Sequence, residues 1–442
     1  MSNTHTTLED VPLNSFHKKL ALYSSGGPFL DGYVLSIIGI ALVQATPTLQ
    51  LSAFWQGLIA ASALIGIFIG GFLGGWFTDK YGRKVLYALD LLAIIGCSVA
   101  QFWVESAWSL FVWRLLIGIA VGADYPIATS LLAEFVPKKS RGPLVGGLIM
   151  MWFVGAAVAY IVGELLLSTG PDGWRWMLAS AAVPGVIFLA MRHGTPESPR
   201  WLLNKGRTEE AQQVIQKVYG PEYGIKDLPE EEVTQSIPIS QLFHSGYGKR
   251  MWFITIFWTC SIVPLFAVYA FAPKILEALK LQGSLENFGS AAITVLFLVG
   301  CLVALRLVNP MGRRRLLIHS FLWSGVALLL LGMFPDGSST VTFVLFSAYA
   351  LFIGGTQILQ FIYPNELFPT EIRATAVGLA SSLSRIGAAI GTYLVPMSLA
   401  SLGIGGTMYV AAAITLIGCF ASWKMAPETK ALGLGAAARL NP

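Results

Sequence analysis

Twelve apolar runs dominate this chain, and each is long enough to cross a lipid bilayer. A helix needs roughly twenty apolar residues to span about 30 Å of hydrocarbon. The runs that meet this condition cover residues 22–46, 55–78, 86–104, 108–134, 143–166, 174–193, 251–273, 286–308, 314–334, 340–363, 374–396 and 405–426. The sequence therefore predicts an all-α membrane protein with twelve transmembrane helices.

Composition supports this class and excludes others. Hydrophobic residues make up 55% of the chain, charged residues 12%, and the mean hydropathy is +0.66, so a soluble fold would expose large apolar patches. The net charge of +5 comes from short loops rather than from a basic stripe, so no nucleic-acid partner is expected. The four cysteines lack metal-type spacing, and no phosphate-binding loop or His-Glu-x-x-His motif is present. We expect no metal, no cofactor, and neither an enzyme nor an ATP-driven pump.

The longest polar segment divides six apolar runs from six. It predicts an N-terminal six-helix bundle over 1–193, a cytoplasmic linker with some amphipathic helix over 194–249, and a C-terminal six-helix bundle over 250–442. Lys and Arg concentrate in the loops that follow every second run, and the opposite loops are nearly bare, apart from Lys274 and Lys280. By the positive-inside rule, both termini are cytoplasmic, in the inner (plasma) membrane.

Three loop motifs of the first half recur in the second half at a nearly constant offset. Gly82-Arg83-Lys84 recurs as Gly312-Arg313-Arg314, Glu134-Phe135-Val136-Pro137 recurs as Glu366-Leu367-Phe368-Pro369, and Pro196-Glu197-Ser198 recurs as Pro427-Glu428-Thr429. Two parallel six-helix repeats are the architecture that alternating access requires. The duplication predicts a transporter of a small solute.

The charged residues of these loops have two interpretations. They could form only tight turns that carry positive-inside charge. They could also form charge contacts across the helix ends that hold the cytoplasmic side closed, which is the interpretation we favour. The residues assigned to this conformational gate are Asp79, Gly82, Arg83, Glu134, Arg141, Glu366 and Arg373.

Ionisable residues inside apolar runs are informative because each costs at least a few kcal/mol unless it is paired or hydrated. Four of them stand out: Asp31, Arg114, Asp124 and Arg385. We apply the offset between Pro196 and Pro427 to find the corresponding positions in the other half. In the same order, they hold Ile262, Leu345, Gly355 and Val154. Because the sister half keeps none of these charges, we expect them to serve a specific function rather than the shared fold.

Asp31 and Asp124 are predicted to lie at similar depth, from a rise of about 1.5 Å per residue along the two runs that carry them. A buried carboxylate can load a proton on one side and release it when the site rearranges. We expect Asp31 to carry the proton, Arg114 to modulate it, and Asp124 to share the proton or contact substrate. The alternative is a buried structural ion pair.

Arg385 lies near the middle of the eleventh run. A guanidinium there can bind a carboxylate or phosphate through paired hydrogen bonds, which favours an organic anion as substrate. The alternative is a packing role, with Glu366 or backbone carbonyls as partners.

The predicted wall of the pocket contains amide and aromatic side chains. Gln357 and Gln360 share one helical face, and buried amides need partners. The aromatic candidates are Tyr125, Trp152, Trp258 and Tyr349. The alternative for the aromatic residues is packing in the core or against lipid.

Over almost its whole length the chain resembles the major facilitator superfamily. Gly75-x3-Asp79-x2-Gly82-Arg83-Lys84 is similar to its hallmark loop, and Arg114-x3-Gly118 is similar to its proton-coupling motif in the fourth helix. Pro196-Glu197-Ser198-Pro199-Arg200-Trp201-Leu202 and Pro427-Glu428-Thr429-Lys430 resemble the sugar-porter branch, and Gly122-Ala123-Asp124-Tyr125-Pro126 resembles the phosphate permeases. The pattern is similar to bacterial metabolite:proton symporters near the organic-ion and synaptic-vesicle-protein-like branches. The resemblance implies a monomer, with proton-coupling roles for Asp31 and Arg114.

Departures from these branches narrow the substrate. The seventh run lacks the paired glutamines of sugar porters and the acidic residue of phosphate permeases, and the fifth lacks the Gly-Pro pair of drug antiporters. We therefore expect proton symport that imports an organic anion. The alternatives are a sugar or polyol symporter or facilitator, a phosphate symporter, an efflux antiporter, or a receptor that binds solute without moving it.

Overall fold

A computed structural model describes residues 8, 11–228, 247–278, 284–368 and 370–430, which are almost entirely helical. The first half contains α1 Ser15–Ser24, α2 Gly26–Leu49, α3 Ala53–Tyr81, α4 Arg83–Ala100, α5 Ala107–Phe135, α6 Lys138–Leu167, α7 Gly173–Ser180 and α8 Ala182–Arg192. The connecting segment contains α9 Pro199–Asn204 and α10 Thr208–Tyr219. The second half contains α11 Gly248–Ala278, α12 Ser284–Met311, α13 Arg313–Met333, α14 Ser339–Leu367 and α15 Thr370–Met425.

Eleven apolar helical segments in the described part of the chain are long enough to cross a membrane. The last of them, Leu379–Met425, has 47 residues and would measure about 70 Å if straight, more than twice the hydrocarbon thickness. It is interrupted at Gly403, whose φ of 68° is left-handed. The chain turns there, so this segment supplies two spans, and the predicted twelve transmembrane helices are confirmed.

The two halves pack against each other through three helix pairs that follow the repeat. α2 contacts α11, which is its counterpart in the second half. The other two contacts are α3 with α15 and α6 with α12. The repeat relates α3 to α12 and α6 to α15, so each of these contacts is the counterpart of the other. The interface is therefore pseudo-symmetric, as the repeated loops predict. We call the end of the bundle that carries Gly82, Glu134, Gly312 and Glu366 the basic end, and the opposite end the far end.

Glycines allow α3 and α5 to approach closely within the first half. A Cβ added to Gly66 would lie 2.3 Å from the Leu115 carbonyl oxygen, and one added to Gly118 would lie 2.3 Å from the Ala63 carbonyl oxygen. Gly70 and Gly122 repeat the arrangement one turn further along. Small residues four positions apart are a common basis of helix packing in membranes, where no hydrophobic force draws helices together.

The helix α1 and the connecting segment cover the basic end of the first half. The amphipathic helix expected in the linker is α10, which buries Ala211, Ile215 and Val218. The Tyr219 hydroxyl donates to the Phe135 carbonyl at 2.6 Å, and Asn14 Nδ2 donates to the Val218 carbonyl at 2.8 Å. The beginning of the linker is therefore attached to the first half.

Candidate functional site

Asp31 and Arg385 come together across the boundary between the two halves. Asp31 lies in the second turn of α2, and Arg385 lies in α15. Their charges interact through space, and the described residues contain no direct ion pair between them. The sequence predicted both as functional residues but did not predict their proximity.

Two aromatic side chains bridge the space between these charges. The Trp152 side chain interacts with the Asp31 carboxylate, and its ring centroid lies 5.8 Å from that of Phe266. The Arg385 guanidinium carbon lies 5.1 Å from the Phe266 centroid, a distance typical of cation–π contacts. Trp152 belongs to the first half and Phe266 to the second, so any rearrangement of the halves moves the aromatic pair as well as the charges.

The site contains polar atoms without hydrogen-bond partners in the described structure. Asp31 Oδ1 and Arg385 Nη1 are both buried and unpaired. Burying an unpaired charged group is costly, and native structures keep such groups where a ligand, ion or proton engages them. The arrangement offers a cationic donor and an anionic acceptor within one cross-half site.

A neutral hydrogen-bonding cluster lies in the second half. Gln357 Nε2 and Gln360 Nε2 each lie 2.8 Å from Ser261 Oγ, to which they donate. The Ser261 and Thr356 hydroxyl oxygens lie 2.5 Å apart. The predicted glutamines therefore share a partner on α11, which sequence reasoning missed because serine is common in membrane helices.

Arg114 is attached to the turn of α2 that follows Asp31. Its side chain is 1% exposed, and Nη1 donates to the Val34 carbonyl at 3.0 Å. Nε and Nη2 have no partner among the described residues. In this conformation Arg114 therefore contacts the backbone of α2 and does not form an ion pair with the Asp31 carboxylate.

Asp124 pairs with a residue that the sequence interpretation did not single out. Its Oδ1 accepts a hydrogen bond from Arg192 Nη1 at 2.5 Å, and Asp90 Oδ1 lies 3.5 Å from the same nitrogen. All three side chains are buried. Asp90 and Arg192 lie inside the predicted third and sixth spans, so the rule that identified Asp31 could also have found them.

The predicted aromatic residues lie in different environments. Trp152 lies at the cross-half site, whereas Trp258 is buried in the core of the second half. Tyr349 is fully buried, with ring centroids 5.7 Å from Phe297 and 6.0 Å from Phe346. The side chain of Tyr125 lies outside the described residues.

The loop motifs form equivalent contacts within each half. Arg83 pairs with Glu134 at 2.8 Å in the first half, and Arg313 pairs with Glu366 at 2.8 Å in the second. Glu134 and Glu366 each also accept a hydrogen bond from a hydroxyl, that of Ser198 and that of Thr429. The side chains of Asp79, Arg141 and Arg373 lie outside the described residues.

Two acidic residues of the repeated Pro-Glu motif cap the helices that follow Gly82 and Gly312. Glu197 accepts from the backbone N–H groups of Arg83 and Lys84 at 3.1 and 3.0 Å. Glu428 accepts from the Arg313 N–H at 3.0 Å. Both glycines have a strongly positive φ (98° and 85°), which permits the tight turn that brings these N–H groups to the carboxylates.

The halves also touch closely near the far end. A Cβ added to Gly57 of α3 would lie 2.1 Å from the Tyr393 carbonyl oxygen of α15, and one added to Gly39 would lie 2.9 Å from that of Tyr269. Lys274 Nζ donates to Gln56 Oε1 at 2.9 Å between α11 and α3. Lys274, an exception to the predicted charge asymmetry, thus links the two halves.

Comparison with known proteins agrees with this architecture. The family model "Sugar (and other) transporter" matches residues 12–440. YaaU of Escherichia coli, named as a putative metabolite transport protein, is 43% identical over 427 residues, which cover 96% of this chain and 95% of that protein. "Inner membrane metabolite transport protein YgcS" of the same organism is 39% identical, covering 100% and 98%.

The fold also matches solved structures of the E. coli xylose transporter XylE. Its inward-open conformation aligns with a TM-score of 0.81 at 22% identity, covering 95% of this chain and 99% of that one. The XylE complex with 6-bromo-6-deoxy-D-glucose aligns with a TM-score of 0.72 at 23% identity, covering 96% and 98%. At this identity the match concerns the fold alone.

The fold and family matches define the class: a multi-pass inner-membrane transporter, not an enzyme, with the major facilitator fold. Within that class, the chain belongs to the sugar (and other) transporter family.

Proposed function

We propose that this protein is a secondary active transporter that imports a small organic anion, a carboxylate, together with protons by alternating access. The observation that carries the proposal is the cross-half pair of Asp31 and Arg385, each with a buried unpaired atom. Both termini then face the cytoplasm, the transporter works as a monomer, and 1–193 and 250–442 are the two bundles that move about the linker 194–249.

Coupling follows from the charges of this site. A substrate carboxylate bound by Arg385 also faces the Asp31 carboxylate, so the two negative charges repel each other unless Asp31 is protonated. Proton binding at Asp31 and anion binding at Arg385 therefore favour each other, and this linkage is reciprocal. Arg114 donates to the Val34 carbonyl in the turn of α2 that follows Asp31 and modulates proton binding there, and Asp124 interacts electrostatically with Asp31.

Substrate selection involves the residues around the charged pair. Trp152 supplies an aromatic wall, and Gln357 and Gln360 hydrogen-bond the polar part of the substrate. Trp258 and Tyr349 act through packing in the core, and Tyr125 is a further aromatic contact. The loop residues Asp79, Gly82, Arg83, Arg141, Glu134, Glu366 and Arg373 control closure of the basic end. The names of the relatives, which refer to metabolite or sugar transport, are consistent with a polar metabolite.

A second candidate is proton symport of a neutral sugar or polyol. The cluster of Ser261, Thr356, Gln357 and Gln360 favours it, because amides and hydroxyls match the hydrogen-bonding groups of a polyol. The arabinose-proton symporter of Bacillus subtilis is 28% identical over 456 residues, covering 97% of both chains. Under this alternative, Arg385 would not set the substrate class.

Ligand-induced thermal stabilisation of the purified protein distinguishes the two. A panel of carboxylates, sugars, polyols, phosphates and amines is measured at pH 5.5 and 7.5. A ligand at a hundredfold excess over its Kd adds about 2.7 kcal/mol to the free energy of unfolding. We expect carboxylates to stabilise, more strongly at pH 5.5, and Arg385→Ala to abolish the effect.

Arg306→Ala is the matched control, because Arg306 is an exposed arginine on α12. It should leave every stabilisation unchanged. Stabilisation by sugars alone, retained in Arg385→Ala, would replace the anion proposal by the sugar alternative.

A further inference from the structure

The first half contains a second buried cluster of ionisable groups, one helical turn from Asp31. It comprises Asp90 on α4, Asp124 on α5 and Arg192 at the end of α8, whose side chains are 3%, 0% and 1% exposed. Two carboxylates thus share one guanidinium. If both were ionised, the cluster would bury one net negative charge.

The hydrogen bonds of Arg192 show how the cluster is held. Nη1 donates to Asp124 Oδ1 at 2.5 Å and to the Tyr87 carbonyl at 2.9 Å, and Nε donates to the Tyr23 carbonyl at 3.3 Å. The guanidinium carbon also lies 3.8 Å from the centroid of the Tyr87 ring. Arg192 is therefore fixed by helices α1, α4 and α5 together.

The two carboxyl groups lie near each other, because Asp124 Oδ1 and Asp90 Oδ1 lie 2.5 and 3.5 Å from the same nitrogen of Arg192. Asp90 Oδ1 accepts from the Leu91 N–H at 2.6 Å, whereas Asp90 Oδ2 and Asp124 Oδ2 have no partner among the described residues. Two ionised carboxylates both accept and cannot satisfy each other. A single proton gives one of them a donor and also neutralises the cluster.

The remaining polar neighbours do not compensate the extra charge. The Tyr87 and Ser24 hydroxyl oxygens lie 3.0 Å apart, so these two groups hydrogen-bond each other. The charged and titratable groups that face the pair are Arg192 from α8, Tyr87 from α4 and Asp31 from α2.

The position of Gly27 places this cluster relative to Asp31. A Cβ added to Gly27 would lie 1.4 Å from Asp124 Oδ2, so the carboxylate occupies the space that a side chain of α2 would fill. Asp31 follows Gly27 by four residues, a rise of about 6 Å along the helix. On the other side of the cluster lie Tyr23 and Ser24, toward the basic end.

We propose that Asp90, Asp124 and Arg192 form a second proton-binding site, separate from Asp31, in which the two carboxyl groups share one proton above a single guanidinium. The proton enters from the aqueous phase at the basic end, and the site lies between that end and Asp31. Asp124 acts here with Asp90, and both carboxyl groups contact Arg192. The proposal does not depend on the identity of the substrate.

Infrared spectroscopy of the full-length protein in lipid bilayers tests this proposal without a substrate. The protein is labelled with ¹³C at the side-chain carboxyl of aspartate, so that the C=O stretch of a protonated aspartic acid shifts and is distinguished from that of glutamic acid. We expect an aspartic-acid band that is present at pH 7.5 in the wild type.

Both single variants, Asp90→Asn and Asp124→Asn, should lose this band. In each of them the remaining aspartate faces Arg192 alone, so its charge is balanced and no proton is needed. Asp31→Asn should keep the band, which separates the cluster from the proposed transport site. Asp172→Asn, at an exposed position, should also keep it.

Three results would overturn the proposal: no protonated aspartic-acid band in the wild type, a band lost only in Asp31→Asn, or a band lost in one cluster variant and retained in the other. Size-exclusion chromatography and thermal unfolding establish that each variant is folded. If Asp124→Asn does not fold, the wild type together with Asp90→Asn still decides, because retention of the band in Asp90→Asn contradicts a shared proton.

Discussion

The two halves of this molecule share one skeleton but differ in the chemistry of their interiors. At the basic end, the two halves form equivalent ion pairs, Arg83–Glu134 and Arg313–Glu366. In each half a glutamate also caps the helix that begins with this arginine. Inside the bundle, the first half buries Asp90, Arg114, Asp124 and Arg192. The second half buries instead the neutral cluster of Ser261, Thr356, Gln357 and Gln360.

The difference separates what the fold requires from what a particular transport reaction requires. Contacts present in both halves stabilise the repeat itself. The charges of the first half have no counterparts, since the positions that correspond to Asp90 and Arg192 in the second repeat hold Phe321 and Trp423. We infer that the first half handles protons and that the second half contributes most of the substrate contacts, with Asp31 and Arg385 meeting between them.

The largest expected effect concerns Asp31. Asp31→Asn removes the proposed proton carrier, so the uphill accumulation of substrate in proteoliposomes driven by a pH gradient should be lost completely, while exchange of labelled for unlabelled substrate continues. The substrate is the ligand identified by the stabilisation panel. Asp172→Asn, an exposed aspartate, is the control and should accumulate normally. Uphill uptake that survives Asp31→Asn would contradict the assignment of the proton to this residue.

The next effect concerns the buried charges of the first half. Arg192→Leu leaves the negative charge of the Asp90–Asp124 pair without its cation, and removing one partner of a buried ion pair costs about 3–5 kcal/mol. We expect a large drop in the thermal unfolding temperature. The triple variant Asp90→Asn, Asp124→Asn, Arg192→Leu removes the charges together and should recover part of the loss. Equal instability of the single and triple variants would mean that packing, rather than charge, explains the effect.

A smaller effect concerns the interface at the far end. Gly57→Ala places a Cβ 2.1 Å from the Tyr393 carbonyl oxygen, and overpacking of this kind costs about 1–3 kcal/mol. Because this contact joins the halves, the far end should open and the reactivity of a cysteine introduced there toward a membrane-impermeant reagent should rise. Gly96→Ala, where nothing lies within 4 Å, is the control and should not change reactivity. Unchanged reactivity in Gly57→Ala would show that the far end does not open in response.

The smallest effect tests the equivalence of the repeats. Glu197→Gln and Glu428→Gln each weaken a helix cap, and losing a charge-assisted cap costs about 1 kcal/mol. Because each carboxylate accepts from the backbone N–H of the arginine that follows its glycine, both variants should lower thermal stability by similar amounts. A clear inequality between them would indicate that one of the motifs also acts in gating.

Much of the fold could be predicted from the sequence, because burial in a bilayer depends on local composition. Each run of about twenty apolar residues is energetically sufficient to form a spanning helix on its own. The repeated Gly-Arg and Pro-Glu motifs indicated two related halves, and equivalent contacts are found at both copies. The face shared by Gln357 and Gln360 was also predictable, since helical periodicity places residues three apart side by side.

The partners of the buried charges could not be predicted in the same way. Asp124 was expected to share the proton of Asp31 or to contact substrate, and its partner in the structure, Arg192, is 68 residues away in sequence. Arg83 and Glu134 were both assigned to the gate, but the sequence did not show that they pair with each other. Depth along a helix follows from residue number, but the neighbour of a side chain depends on how the helices are rotated and packed.

The sequence by itself thus determined the number of helices, the repeat, and which residues carry charge inside the membrane. Only the tertiary structure decided that Asp31 lies within electrostatic reach of Arg385 in the other half and that Asp90, Asp124 and Arg192 gather into one cluster. The physical reason is that transfer of a helix into lipid is a sum over local residues. The pairing of charges depends instead on interhelical distances of a few ångströms, which close packing at residues such as Gly27 and Gly57 sets.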